Sequence, residues 1–337
     1  MRAVAYQSPQ PILAETSLID VDLPMPDAKG RDLLVEVKAV SVNPVDTKVR
    51  AGVAPEAGQY KVIGWDASGI VKAVGDAVTM FQPGDEVYYS GTLNRGGSNA
   101  EFQLVDERIV ALKPKSLDFA AAAALPLTTI TAYEVLFDRL KVQDPVAGAP
   151  RTIVIVGGAG GVGSIAIQVA RALTDLTIVA TASRPETQSW VKELGAHHVI
   201  DHGKPLAAQI EALGLGAPSF IFSTTNTTDH LAEIATAIAP QGRFALIDDP
   251  KTLDVVAFKR KAVSIHWEFM FVRPMYETAD MVEQHNLLTE VAGLIDAGKV
   301  RSTLTETLGP INAANLKKAH ALIESGKTKG KIVLAGF

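Results

Sequence analysis

No cysteine occurs anywhere in the 337 residues. That excludes disulfides, thiolate nucleophiles and every zinc site built on sulfur, and it fits a cytoplasmic protein. Basic runs are missing too. The formal net charge is −5, so nothing supplies the electrostatic footprint that a nucleic-acid partner requires. There is no low-complexity tract and no repeat of fixed period. The most alanine-rich stretch, Phe119 to Leu127, is too short to span a bilayer and is broken by Pro126. The opening residues, Met1-Arg-Ala-Val-Ala-Tyr-Gln-Ser-Pro, lack the apolar core of a signal peptide, and no membrane partner is expected. What remains is 47% hydrophobic and 20% charged, an ordinary soluble profile with material for about two domains.

Glycine is concentrated in one place. From Ile153 the chain reads Ile-Val-Ile-Val-Gly-Gly-Ala-Gly-Gly-Val-Gly163, with five glycines in seven positions. An uncharged β-branched run suits a strand buried on both faces. Apolar residues at helical spacing follow, from Ser164 to Leu173. Gly158-x-Gly160-x-x-Gly163 therefore sits between a predicted strand and a predicted helix, the context that a dinucleotide-binding turn requires. One glycine permits the tight turn, a second lets the backbone approach a pyrophosphate, and the third lets helix pack on strand. The amides of the helix N-terminus, from Gly160, Gly161 and Val162, then face the anion. A turn needing only positive φ explains one or two of these glycines, not the cluster.

Up to about residue 120 the pattern is of short strands and turns. Leu33–Val40 and Gly69–Val74 read as strands, and Met25-Pro-Asp, Gln82-Pro-Gly-Asp85 and Arg95-Gly-Gly-Ser98 as turns. From about Pro126 helices and strands alternate. The predicted order is helix 131–140, strand 153–156, helix 165–173, strand 177–181, helix 185–194, strand 198–200, helix 207–213, strand 219–222, helix 231–238 and strand 242–247. Such alternation argues for an α/β, doubly wound parallel sheet. An apolar strand around 264–271, a helix from Ala279 to Ala297 and a last strand, Lys331–Leu334, follow. The chain tail is expected to return to the first domain. The predicted domains are thus 1–123 with 273–337, interrupted by 124–272, and the active site is expected in the cleft between them.

An enzyme that selects the unphosphorylated cofactor carries an acidic residue about 20 positions after the turn. Here Ser183 stands 20 positions after Gly163, and Arg184 follows it. A hydroxyl and a guanidinium suit a 2′-phosphate, so NADPH is the expected cofactor. Ser183 also precedes Pro185 in the manner of a helix cap, and the nearby Glu186 is close enough to act as a displaced acid.

Asn43-Pro-Val-Asp46-Thr-Lys-Val-Arg50-Ala-Gly52, Gly64-Trp-Asp-Ala-Ser-Gly69 and Pro83-Gly-Asp-Glu-Val87, followed by the glycine cluster, resemble the medium-chain dehydrogenase/reductases. Within them the chain is most similar to the zinc-free quinone oxidoreductase group and to a branch labelled "zinc-type alcohol dehydrogenase-like". The likeness runs from Ala3-Val4 to Gly330-Lys-Ile-Val-Leu334. It implies a β-rich GroES-like catalytic domain, a Rossmann cofactor domain inserted into it, hydride transfer from NADPH, and a homodimer or homotetramer. Zinc-bearing relatives place cysteine at the position of Asn43 and a His-Glu pair at Trp65-Asp66. Asn and Trp are not zinc ligands, and Asp46 with Asp66 alone cannot complete a tetrahedral site. His197, His198 and His202 fall beside the third strand of the cofactor domain, so no metal is expected.

Without a metal to polarise an alcohol, reduction of a quinone or an α,β-unsaturated carbonyl is the accessible chemistry. The candidates for the substrate end are Asn43, as amide donor to the carbonyl, as a group holding the nicotinamide or as turn former; Asp46, orienting Lys48 or Arg50; and Trp65, as an aromatic wall or as core. A proton donor is not singled out among Tyr60, Tyr88, Tyr89 and solvent. For the cofactor the resemblance adds Thr131, opening the domain's first helix, and a closing segment with Lys329 and Lys331. Ser223 and Thr224 are expected at the carboxyl end of a strand, where Rossmann ligands bind. The apolar strand 264–271 either pairs across a dimer, as in relatives, or lines the substrate cleft. Two other readings stay open: a zinc-dependent alcohol dehydrogenase, and a non-catalytic NADPH-binding sensor or structural protein.

Overall fold

Along Asp32–Ser41 polar and apolar residues alternate. In the computed structural model, which describes residues 1–337, they become one buried and one half-buried face of a strand. The chain forms two units, Met1–Leu127 with Phe271–Phe337, and Thr128–Met270. These bounds lie a few residues from the expected ones, and the first of them falls inside a helix, Pro126–Tyr133, that starts before the expected Thr131.

The first unit begins with β1 (Arg2–Tyr6), β2 (Ile19–Asp22), β3 (Asp32–Ser41), α1 (Pro44–Gly52), β4 (Lys61–Val62), β5 (Asp66–Val74), β6 (Glu86–Ser90), β7 (Phe102–Asp106), β8 (Val110–Leu112) and α2 (Phe119–Ala123). Across the boundary runs α3 (Pro126–Tyr133), and the second unit continues with β9 (Thr152–Val156), α4 (Gly161–Leu173), β10 (Thr177–Thr181), α5 (Pro185–Glu193), β11 (His198–Ile200), α6 (Leu206–Ala212), β12 (Phe220–Ser223), α7 (Thr227–Ala237), β13 (Arg243–Leu246) and β14 (Ser264–Trp267). The chain then returns with α8 (Val272–Tyr276), α9 (Glu283–Asp296), β15 (Leu304–Thr307), α10 (Ala313–Glu324) and β16 (Lys331–Ala335).

In the first unit a seven-stranded sheet runs β15-β16-β3-β5-β6-β8, with β7 also on β3, beside a small sheet β2-β1-β4. The last strand thus pairs antiparallel with β3, Val333 opposite Ser41. The second unit is one six-stranded parallel sheet, β11-β10-β9-β12-β13-β14. The strand order reverses between β9 and β12, the switch point beside which ligands bind in such sheets. All five residues of β9 are buried. Val154, Val156, Ile221, Phe244 and Leu246 of the sheet pack with Leu231, Ile234 and Phe258, each contributing about 1.5–3 kcal/mol by burial.

Three boundaries move. The strand expected at 264–271 ends at Trp267, and the helix expected from Ala279 starts at Glu283. The helix expected at 131–140 is α3 followed by a π-turn, Glu134–Arg139, in which the Leu140 N–H reaches Val135 O. Hydrophobic spacing does not distinguish this wider turn from regular helix.

Candidate functional site

Pro44 takes the first helical position of α1, and the Asp46 carboxylate reaches back to accept from the Asn43 N–H. This local turn seats Asn43 and Asp46 inside the first unit, where β5 and β16 bring Asp66 and Lys331. The Lys331 ammonium donates to Val42 O at 3.1 Å, to Asp66 Oδ2 at 3.0 Å and to Asn43 Oδ1. Asn43 Nδ2 donates to the same Asp66 Oδ2 at 2.8 Å and to Ser41 O at 3.3 Å. Asp66 Oδ1 accepts from the Leu127 N–H at 2.7 Å. The whole set is buried. Asp46 Oδ1 has no hydrogen-bond partner. Burial pushes the Asp46 carboxyl up to about 7, against the Asn43 N–H and Lys331, with Asp66 adding to the rise.

Several expectations change here. Lys331, expected over the cofactor, spends its three donors inside the first unit. Both Asn43 amide hydrogens are engaged, so the side chain is a tie between strands rather than a free donor to a carbonyl. Asp46 does not orient Arg50, whose guanidinium bonds Gln10 O and Glu324. Trp65 is 1% exposed, donates to Thr92 O at 3.0 Å and meets Phe271 edge-on; it is core, not an aromatic wall. Tyr88 and Tyr89 are buried with their hydroxyls on Leu288 O and Gln103 Oε1, and burial drives both phenols far upward. Of the three tyrosines only Tyr60 is exposed.

The glycine turn lies in the second unit, between β9 and α4. Gly157 has φ +79°, and a Cβ there would stand 2.3 Å from Thr224 Oγ1. The left-handed turn is thus at Gly157, one residue before the motif's first glycine. Gly158 is held instead by the Ala180 Cβ, 2.9 Å from an added Cβ, and Gly163 by Gly157 O at 2.4 Å. Gly160 differs. Its φ and ψ are −71° and 176°, and an added Cβ would meet only Gly157 O, at 3.5 Å. Nothing in the protein requires glycine there, so the backbone of the turn is left bare on that side. Gly160 caps α4 without a side chain, and Gly161 and Val162 beside it are half-buried. The first-turn amides of a 13-residue helix therefore fit a pyrophosphate.

At the end of β10, Ser183 is exposed, and Arg184, not Ser183, is the residue that caps α5. The Arg184 guanidinium is 41% exposed and pairs with Glu186 at 3.1 Å. Glu186 thus faces the arginine. The Ser223 hydroxyl lies 2.8 Å from Thr227 Oγ1, and Thr224 donates through N and Oγ1 to Val156 O. Both shape the β9/β12 crossing. Thr131 is buried within α3 instead of opening it, and Lys329 is half-buried.

Residues 29–115 match the alcohol dehydrogenase GroES-like domain, and residues 194–334 the zinc-binding dehydrogenase family. A zinc-type alcohol dehydrogenase-like protein of Staphylococcus aureus is 39% identical over 99% of both chains. The chain is a medium-chain dehydrogenase/reductase. An NADPH-dependent alkenal/one oxidoreductase of Arabidopsis thaliana is 38% identical, covering 94% of this chain and 75% of the relative. A solved structure from Rhizobium etli CFN 42, named for the zinc-dependent alcohol dehydrogenases, is 66% identical with TM-score 0.99 over 100% of this chain and 98% of that one. The protein is an oxidoreductase of this family, with a GroES-like domain and a Rossmann sheet.

Zinc, which the family names imply, does not fit the residues present. At the ligand positions of zinc-bearing relatives this dehydrogenase/reductase has an amide, an indole and a carboxylate. Asp66 Oδ2 already carries the Lys331 ammonium, a cation that needs no metal beside it. Soft or imidazole donors are missing from the set.

Sequence reasoning missed a second buried set, in the cofactor domain. Glu134 of the π-turn and Glu268, just after β14, are both buried, and Arg139 Nε donates to Glu268 Oε2 at 2.7 Å. Glu268 Oε1 has no donor, and burial with the adjacent Glu134 carboxyl pushes Glu268 well above the carboxylate range. One proton shared by the two acids satisfies that oxygen. Because the folded value is raised, stability declines as pH rises from the ordinary carboxylate range through the raised one, by about 1.4 kcal/mol per pH unit. Glu268→Gln, which supplies its own N–H, is expected to remove that decline. Urea midpoints from pH 5 to 9 check it; parallel curves for the two proteins would contradict the shared proton.

Proposed function

We propose that the protein is an NADPH-dependent oxidoreductase that reduces quinones or α,β-unsaturated carbonyls without a metal. The observation that carries this reading is the buried Asn43–Asp66–Lys331 set: Asn43 is not a zinc ligand, and the one carboxylate beside it, Asp66, already carries the Lys331 ammonium. Alcohol oxidation then lacks its Lewis acid, whereas a conjugated carbonyl needs only hydrogen-bond donors as enolate charge develops. The relative named as an NADPH-dependent alkenal/one oxidoreductase supports the same substrate class. When bound, NADPH supplies a hydride to the β-carbon of such a substrate. The chain's own contribution begins with binding: the α4 amides and the bare backbone at Gly160 take the pyrophosphate, and Ser183 with Arg184 take the 2′-phosphate.

Arg184→Ala is the direct test of the cofactor choice. NADPH affinity is expected to fall by about 1.5–3 kcal/mol, the size of a charge-assisted contact, with NADH little changed. Equal losses for the two, measured by fluorescence titration, would overturn the 2′-phosphate assignment. A second copy of the chain is also proposed at β14, the edge strand of the parallel sheet, where Trp267 and Phe269 are about half exposed.

A further inference from the structure

His202 lies outside every role assigned so far. The register pairs Thr181 with Ile200, and the Ala182 N–H donates to Ile200 O at 2.9 Å. Ser183 and Arg184 therefore leave β10 alongside Asp201 and His202 leaving β11. His202 is half-buried, with Nδ1 3.2 Å from Thr181 Oγ1 and its ring edge-on to His230 at 6.4 Å. Thr181 Oγ1 already accepts from the Gly157 N–H at 2.9 Å. Its own hydrogen is then free for His202 Nδ1, an arrangement in which the neutral ring carries its hydrogen on Nε2. One chain of hydrogen bonds thus links His202 to the turn that receives the pyrophosphate.

We propose that His202 is the third wall of the 2′-phosphate site, and that its protonation raises the preference for the phosphorylated dinucleotide as pH falls. This rests on the NADPH reading above. In the unliganded protein burial holds the imidazole below its ordinary range, helped by His230 and Arg184 and opposed by Asp201. A dianion placed against Arg184 and His202 reverses the balance and favours the imidazolium. Binding of NADPH then takes up a proton at His202, and binding of NADH does not. By linkage, acid tightens NADPH specifically.

The experiment titrates NADPH and NADH by fluorescence at pH 6 and pH 8 into the full-length wild type, His202→Gln, His202→Lys and Arg184→Ala. Wild type is expected to bind NADPH more tightly at pH 6. His202→Gln should lose about tenfold at pH 6, the size of one charge-assisted hydrogen bond, and much less at pH 8, with the loss confined to NADPH. His202→Lys, whose charge does not titrate in this range, should bind NADPH tightly at both values. The 2′-phosphate itself titrates near pH 6, but it does so in every protein of the set. A His202→Gln curve that superimposes on wild type, or a parallel loss of NADH, would overturn the proposal. Arg184-dependent NADPH preference without any effect of His202 would sink this inference alone. Wild type that binds NADPH no better than NADH at either pH would sink the cofactor reading with it.

Discussion

Lys331→Met is expected to destabilise the protein by about 3–5 kcal/mol, the cost of leaving a buried charge without its partner. Lys331 carries the only ammonium bonded to Asp66, and Asp66 has no exposure through which to recover hydration. Asn43 would lose the donor to its Oδ1 at the same time. The double variant Lys331→Met with Asp66→Asn should recover a large part of the loss, because the stranded charge is gone and the amide still accepts from the Leu127 N–H. Denaturant midpoints at constant slope measure both. An unchanged midpoint combined with weaker NADPH binding would return Lys331 to a cofactor contact.

Gly160→Val is expected to lower the affinity for both NADPH and NADH by more than about 100-fold, or about 2.8 kcal/mol. The backbone at Gly160 is one that any residue adopts, and a Cβ meets nothing closer than Gly157 O at 3.5 Å. The folded protein should therefore survive while the side chain occupies the space over the turn. Gly163→Val makes the contrast: its Cβ would stand 2.4 Å from Gly157 O and 2.7 Å from Gly158 Cα, so it should fail to fold. Calorimetric titration after thermal melting checks both variants. Dinucleotide binding retained by folded Gly160→Val would remove the pyrophosphate assignment.

The sequence made the parallel sheet legible because its strands are short and mostly apolar and the helices between them carry apolar residues at helical spacing. The turn at β9 was legible for the same local reason, down to its glycines, although which glycine takes positive φ was not. Local patterns also suggested the Asn43–Asp46 turn. They did not show what the turn is for. Asn43 and Lys331 are 288 positions apart, and Asp66 and Lys331 265, so the ion set exists only once β16 has paired with β3. A lysine that follows a glycine, with another lysine before it, reads as a surface group until that pairing buries it. Glu134 and Glu268 were hidden in the same way, one in a π-turn and one beyond a strand end. Trp65 was weighed between wall and core, and only its burial and the bond to Thr92 O decided for core.

The measurement that tests the central claim most directly is NADPH oxidation by protein freed of metal with a chelator, using phenanthrenequinone and a simple enone, with NADH in parallel. NADPH-selective turnover of these acceptors without metal is the predicted result. Activity that appears only when zinc is restored, or tight NADPH binding with no turnover of either acceptor, would contradict the zinc-free reductase.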